Sequence, residues 1–167
     1  MSDKPQSDNA EEYIFEVFLH PGDFYFGSAP MLISTLLGSC VAVTVWHPKL
    51  LVGGMCHILL PEMTGKERSM KYGSCAIGEF AKEIIKIGTL PKEYEIHVFG
   101  GADMFPDMEK TSNLKIGEKN LRKINQLLDV YGFTIKDLDT GGTMSRKVTL
   151  NLGCGTVTQR KTGKVNV

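Results

Sequence analysis

Two residues of this chain, Cys40 and His57, are of the types that make a thiol nucleophile, and each lies in an apolar run. Val41-Ala42-Val43-Thr44-Val45-Trp46 alternates β-branched residues with others, and Leu51-Val52-Gly53-Gly54-Met55-Cys56-His57-Ile58-Leu59-Leu60 also reads as a strand. The break His47-Pro48-Lys49-Leu50 holds a proline that fixes a turn and cannot continue a ladder. The pattern predicts an antiparallel hairpin. With Trp46 opposite Leu51, Cys40 falls directly opposite His57, which brings their Cβ atoms to about 4.5–5.5 Å. An imidazolium there stabilises a thiolate, and the histidine can later pass a proton to a leaving group. Cys56 then points to the other face. From spacing alone, the ordinary alternative is a packed Cys40 and a structural His57, since cysteine is among the most buried residue types.

Other candidates are weaker. The cysteines at 40, 56, 75 and 154 form no Cys-x-x-Cys pair. A zinc site from Cys40, Cys56, His57 and Cys75 conflicts with Cys56 and His57 being adjacent, hence on opposite faces of a strand, so no metal and no cofactor are expected. Cys75 reads as a packed thiol. His97 has no nucleophile near it in sequence and reads as a solvated or capping side chain. Gly38 lets the chain bend ahead of Cys40 with amide N–H groups nearby, or else marks a plain β-bulge. Ser39 beside the cysteine and Gly100-Gly101 further on are the candidate substrate-binding positions, because the stretch from Gly100 to Lys115 lacks periodicity and long loops in compact domains are usually functional.

The elements that must position these residues follow from the same patterns. Lys+Arg and Asp+Glu balance at 19 each, which gives no global attraction to nucleic acid or to anionic membranes. No apolar run approaches the roughly 20 residues needed to span a bilayer, so direct membrane insertion is not expected. Residues 1–12 are polar, lack the apolar core of a secretory signal and are expected to be a mobile tail on a cytoplasmic protein. Residues 13–167 are expected to form a single domain, 42% hydrophobic residues being ordinary for a globular chain. Strands are predicted at 13–19, 24–26, 94–99, 133–138, 147–152, 156–160 and 164–167 beside the hairpin. Helical spacing predicts helices over 70–87, from Ile77, Phe80, Ala81, Ile84 and Ile85, and over 117–131, from Leu121, Ile124, Leu127, Leu128 and Tyr131. The fold class is therefore α+β, with antiparallel or mixed β-sheets and two main flanking helices.

The residues also carry a resemblance. Leu37-Gly38-Ser39-Cys40-Val41-Ala42-Val43, with Gly53-Gly54-Met55-Cys56-His57-Ile58-Leu59-Leu60-Pro61, resembles the signature of the chemoreceptor glutamine deamidases (CheD). Lys71-Tyr72, Gly100-Gly101-Ala102-Asp103-Met104-Phe105, Ile116-Gly117-Glu118-Lys119-Asn120, Asp139-Thr140-Gly141-Gly142 and Arg146 follow in the same order, over about 22–161. The resemblance implies a protein-glutamine deamidase with Cys40 as nucleophile and His57 as acid and base. Its substrates would be glutamines on the cytoplasmic helices of methyl-accepting chemotaxis receptors, with a CheC-type phosphatase as a further partner. The family's triad is completed by a threonine upstream of the cysteine. That position is Ser34 here, with Thr35 one residue later, so Ser34 is preferred and Thr35 is the alternative; adjacent strand residues face opposite ways, and only one can orient the imidazole. The other functions considered are a non-catalytic docking module and an unrelated thiol amidohydrolase.

Overall fold

The computed structural model describes residues 14–106 and 116–163. The predicted tail 1–12, the predicted strand 164–167 and residues 107–115 of the 100–115 loop lie outside the described residues. Among the described residues the chain forms β1 (Glu16–Leu19), β2 (Phe24–Ser28), β3 (Leu32–Leu37), β4 (Val41–His47), β5 (Val52–Ile58), α1 (Gly73–Lys86), β6 (Glu95–Gly100), α2 (Ile116–Val130), β7 (Ile135–Thr140), β8 (Ser145–Asn151) and β9 (Val157–Thr162). One sheet has the order β1-β3-β8-β9 and the other β2-β5-β4-β6-β7. The pairs β1–β3 and β6–β7 are parallel and the rest antiparallel, so both sheets are mixed, as an α+β domain allows.

β4 explains the layering. Every residue from Val41 to His47 is buried, because its sheet is covered on both sides. Val41, Val43 and Val45 face one way and pack with Ile77, Phe80 and Ile84 of α1 and with Ile124 and Leu128 of α2. Ala42 and Trp46 face the other way, into a second core with Ile33 and Leu37 of β3 and Val148 and Leu150 of β8. The result is helices, sheet, sheet. The stripe Ala76, Ile77, Phe80, Ala81 and Ile84 gives α1 its buried face at helical spacing. Gly88 and Gly132, both at positive φ, follow the two helices closely.

The hairpin of β4 and β5 is present, with a corrected register. Trp46 lies opposite Gly53, not Leu51, and His57 lies opposite Ala42, not Cys40. The cause is the turn. Leu51 takes a left-handed φ of 53° and donates its N–H to the His47 carbonyl at 2.9 Å, so the loop is 48–51 and not 47–50. The His47 ring nitrogen Nδ1 accepts the N–H groups of Lys49 and Leu50, which fastens the loop in that frame. Moving a loop by one residue changes each partner by two, and an even slip leaves every side chain on its expected face.

Candidate active site

Cys40 stands one residue ahead of β4 in the bend 38–40, half-buried, with Ser39 half-buried beside it. His57 lies near the end of β5 and is 2% exposed. Alternation turns His57 with Met55 towards the other sheet, and Cys40 packs against that same inter-sheet core. The two are thus diagonal neighbours on one face, a spacing that long or aromatic side chains still bridge. Cys56 points the opposite way, into the helix-side core, where full burial pushes its thiol up to about 12. Among the described residues, no three His, Cys, Asp or Glu side chains gather as a metal site would require.

The imidazole is held from the other sheet. Thr35, fully buried on β3, places Oγ1 2.7 Å from His57 Nδ1 and donates its only hydroxyl hydrogen to the Leu19 carbonyl at 2.8 Å. With that hydrogen committed, Oγ1 can only accept, so the hydrogen-bond network assigns the proton on the ring to Nδ1. Nε2 therefore carries the lone pair. It is buried and has no hydrogen-bond partner among the described residues. Ser34, the neighbour on β3, lies between Phe18 and Thr149 and faces away from the sheet interface. Of the two hydroxyls considered from sequence, Thr35 is the one that meets His57.

The backbone of His57 is fixed by the turn after β1. Gly22 donates to the His57 carbonyl at 2.9 Å, and the His57 N–H donates to the Asp23 carbonyl at 3.1 Å. Burial lowers the His57 pKa below its ordinary value; the nearby Asp23 charge opposes this and His20 adds to it. Burial also raises the Cys40 thiol. Both shifts favour the neutral forms, thiol and imidazole, over the thiolate and imidazolium expected from sequence.

Gly100 and Gly101 face Cys40. Gly101 donates to the Cys40 carbonyl at 2.9 Å, and Ala102 donates to the Gly38 carbonyl at 3.1 Å, which pins both ends of the bend. Gly100 has φ 108°, and a Cβ there would collide with the Cys40 carbonyl oxygen, so only glycine fits. Sequence reasoning gave no part to the 20–23 turn. It noted Asp139 and Arg146 only as motif positions, although Arg146 is 2% exposed and bonds to Gly100. His97 lies on β6 in a stacked pair with Phe99, apart from the thiol chemistry.

The chain is similar to known proteins over most of its length. The family described as CheD chemotactic sensory transduction matches residues 59–161. A Chromobacterium violaceum protein named probable chemoreceptor glutamine deamidase CheD 1 is 36% identical, over 92% of this chain and 81% of its own. Probable chemoreceptor glutamine deamidase CheD 3 of Dechloromonas aromatica is 37% identical, over 89% of this chain and 88% of its own. The crystal structure of a Bacillus licheniformis hypothetical protein, YfiH, is similar at a TM-score of 0.49 and 13% identity, over 71% of this chain and 49% of that one. The chain belongs to the CheD family.

Proposed function

We propose that the protein is a protein-glutamine deamidase that converts selected glutamines of chemotaxis receptors to glutamate, with Cys40 as nucleophile, His57 as base and acid, and Thr35 as the residue that orients His57. The observation that carries it is the imidazole itself: one nitrogen is held by a committed hydroxyl, while the other is buried, lone-pair-bearing and unpartnered among the described residues. Most buried polar side-chain atoms are hydrogen-bonded, so a ring nitrogen left without a partner beside a thiol favours a chemical role.

From the neutral pair, Nε2 takes the Cys40 proton as the sulfur attacks the side-chain carbonyl carbon of glutamine. The Cys40 N–H donates no hydrogen bond among the described residues, and we assign it as the donor for the developing oxyanion. The imidazolium returns its proton to the amide nitrogen, ammonia leaves, and a thioester remains. Water then gives a proton to Nε2 and attacks the thioester, releasing glutamate and the thiol. The Thr35 oxygen keeps Nδ1–H engaged throughout and favours the imidazolium that forms transiently.

Receptor glutamines are the substrate that the relatives' names carry, which supports a cytoplasmic location, where the receptors' signalling helices would be met. Among the described residues, no helix is long and apolar enough to cross a membrane. A CheC-type phosphatase as partner rests on the family resemblance. The test is intact-mass and peptide mass spectrometry of a receptor cytoplasmic fragment after incubation with wild type and with Cys40→Ala. The expected result is amide-to-acid conversion by wild type alone. Absence of conversion by folded wild type would leave a docking role only.

A further inference from the structure

We propose that Arg146 is a positioning residue for the nucleophile: its guanidinium locks the Gly100-Gly101 corner to the turn after β7, and so holds the backbone of Cys40 in line with His57. The proposal rests on Cys40 being the nucleophile.

No hydrogen bond from its own side chain fixes Cys40 among the described residues, so its aim depends on its backbone, which hangs from Gly101 and Ala102. That corner is unusual, with φ 108° at Gly100 and 66° at Gly101. It is held from behind at the Gly100 carbonyl oxygen, which accepts Gly141 N–H at 2.9 Å and Arg146 Nη1 at 3.3 Å, and further on by Asp103 N–H, which donates to the Gly142 carbonyl at 2.8 Å. Arg146 Nη2 reaches the Gly141 carbonyl at 2.8 Å and Asp139 Oδ1 at 3.1 Å. One planar group thus ties both sides of the corner together. Asp139 is further engaged by Lys161 at 3.0 Å and by Gln159, which hold its carboxylate in place.

The placement of Arg146 in the fold supports a geometric role. It sits on β8, opposite Leu37 of β3, next to the start of the Cys40 bend, and its side chain crosses to the other sheet. Burying a guanidinium costs several kcal/mol, and an apolar side chain of similar volume often serves stability as well or better. Stability alone therefore gives little reason for an arginine at this position. Lysine, a point donor, cannot span two carbonyls and a carboxylate as a planar fork does.

The experiment compares wild type, Arg146→Lys and Arg146→Met, with His57→Ala as the alkylation reference, by two readouts: kcat and KM on the receptor fragment, and the pH profile of Cys40 alkylation by iodoacetamide, resolved by peptide mass spectrometry. Exposed Cys154 serves as an internal control. The expected result is a kcat loss of about 10- to 100-fold with KM held within about twofold. Cys40 alkylation near neutral pH should slow towards the His57→Ala rate, and Cys154 should be unaffected. A merely structural arginine would lower the melting temperature and leave the Cys40 profile of the folded variant unchanged. Either folded variant with wild-type kcat and a wild-type Cys40 profile overturns the proposal. Arg146→Met covers the case in which Arg146→Lys does not fold, since it leaves no buried charge on residue 146. Failure of wild type to deamidate would instead strike the assigned function, while the alkylation profile would still judge the clamp.

Discussion

Thr35→Val is the most informative single change, because it removes one hydroxyl and keeps the shape of the side chain. In the wild type that oxygen accepts His57 Nδ1–H and donates to the Leu19 carbonyl, both within the buried junction of the sheets. The variant leaves a buried donor and a buried acceptor without partners, at roughly 1–3 kcal/mol each. A total near the lower half of that range, about 2–4 kcal/mol, corresponds to a fall in Tm of about 4–16 °C for a chain of this size. The catalytic effect is distinct. A positioned general base contributes roughly 10²- to 10⁴-fold, and the imidazole survives in Thr35→Val while its tautomer and orientation are no longer fixed. The expected loss in kcat is therefore a fraction of that contribution, about 10- to 100-fold, with Thr35→Ser near wild type and Ser34→Ala within about twofold. The assay is ammonia release from a receptor fragment, at a temperature well below the variant's melt. A folded Thr35→Val with wild-type turnover, or a Ser34→Ala as impaired as Thr35→Val, would refute the assignment of the orienting hydroxyl.

Cys40→Ala should abolish deamidation with little change in melting temperature, whereas Cys56→Ala, in the helix-side core, should keep its activity and lose stability; peptide-resolved alkylation and thermal melts separate the two. Because the folded-state pKa of His57 lies below its ordinary 6.5, the unfolded chain binds the extra proton first as pH falls, and stability drops from about pH 6.5 downward until the folded value is passed. Urea unfolding at a series of pH values should show that slope, up to about 1.4 kcal/mol per pH unit, shrinking in His57→Gln. Leu37→Ala and Ile84→Ala remove equally buried side chains from the two cores and should each cost about 2–5 kcal/mol. Only Leu37→Ala, in the core beneath the site, should also lower kcat by more than about tenfold, and similar kcat values in the two would count against the inter-sheet alignment.

The hairpin, both helices and the α+β class were legible in the sequence because each rests on local periodicity, which is strong where β-branched residues or a helical stripe persist. Register was not, since it turned on Leu51 entering the left-handed region and on the His47 ring gripping the loop, neither of which composition reveals. The pairing of Cys40 with His57 on one face survived because the error was even. Counting from a family pattern preferred Ser34, whereas the hydroxyl that lies against His57 is that of Thr35. That contact follows from which side of β3 faces the second sheet, and so from Ile33, Thr35 and Leu37 being the buried set. Two motif positions with no evident chemistry also gained a reason: Asn120 donates its amide to the Leu59 carbonyl at 3.0 Å, just beyond β5, and a Cβ on Gly117 would crowd the Gly101 carbonyl at 2.5 Å.

These contacts explain why the site lies where two sheets meet and not on a single hairpin. Sheet β2-β5-β4-β6-β7 supplies the proposed nucleophile and base, one from the bend before β4 and the other from β5. Sheet β1-β3-β8-β9 supplies Thr35 from β3 and Arg146 from β8, so neither sheet alone can both carry the pair and aim it. The same burial that makes the junction rigid strips water from Cys40 and His57 and favours the neutral form of both. In the proposed mechanism charge separates as the substrate carbonyl is attacked, when the oxyanion donor and the Thr35 oxygen have something to stabilise.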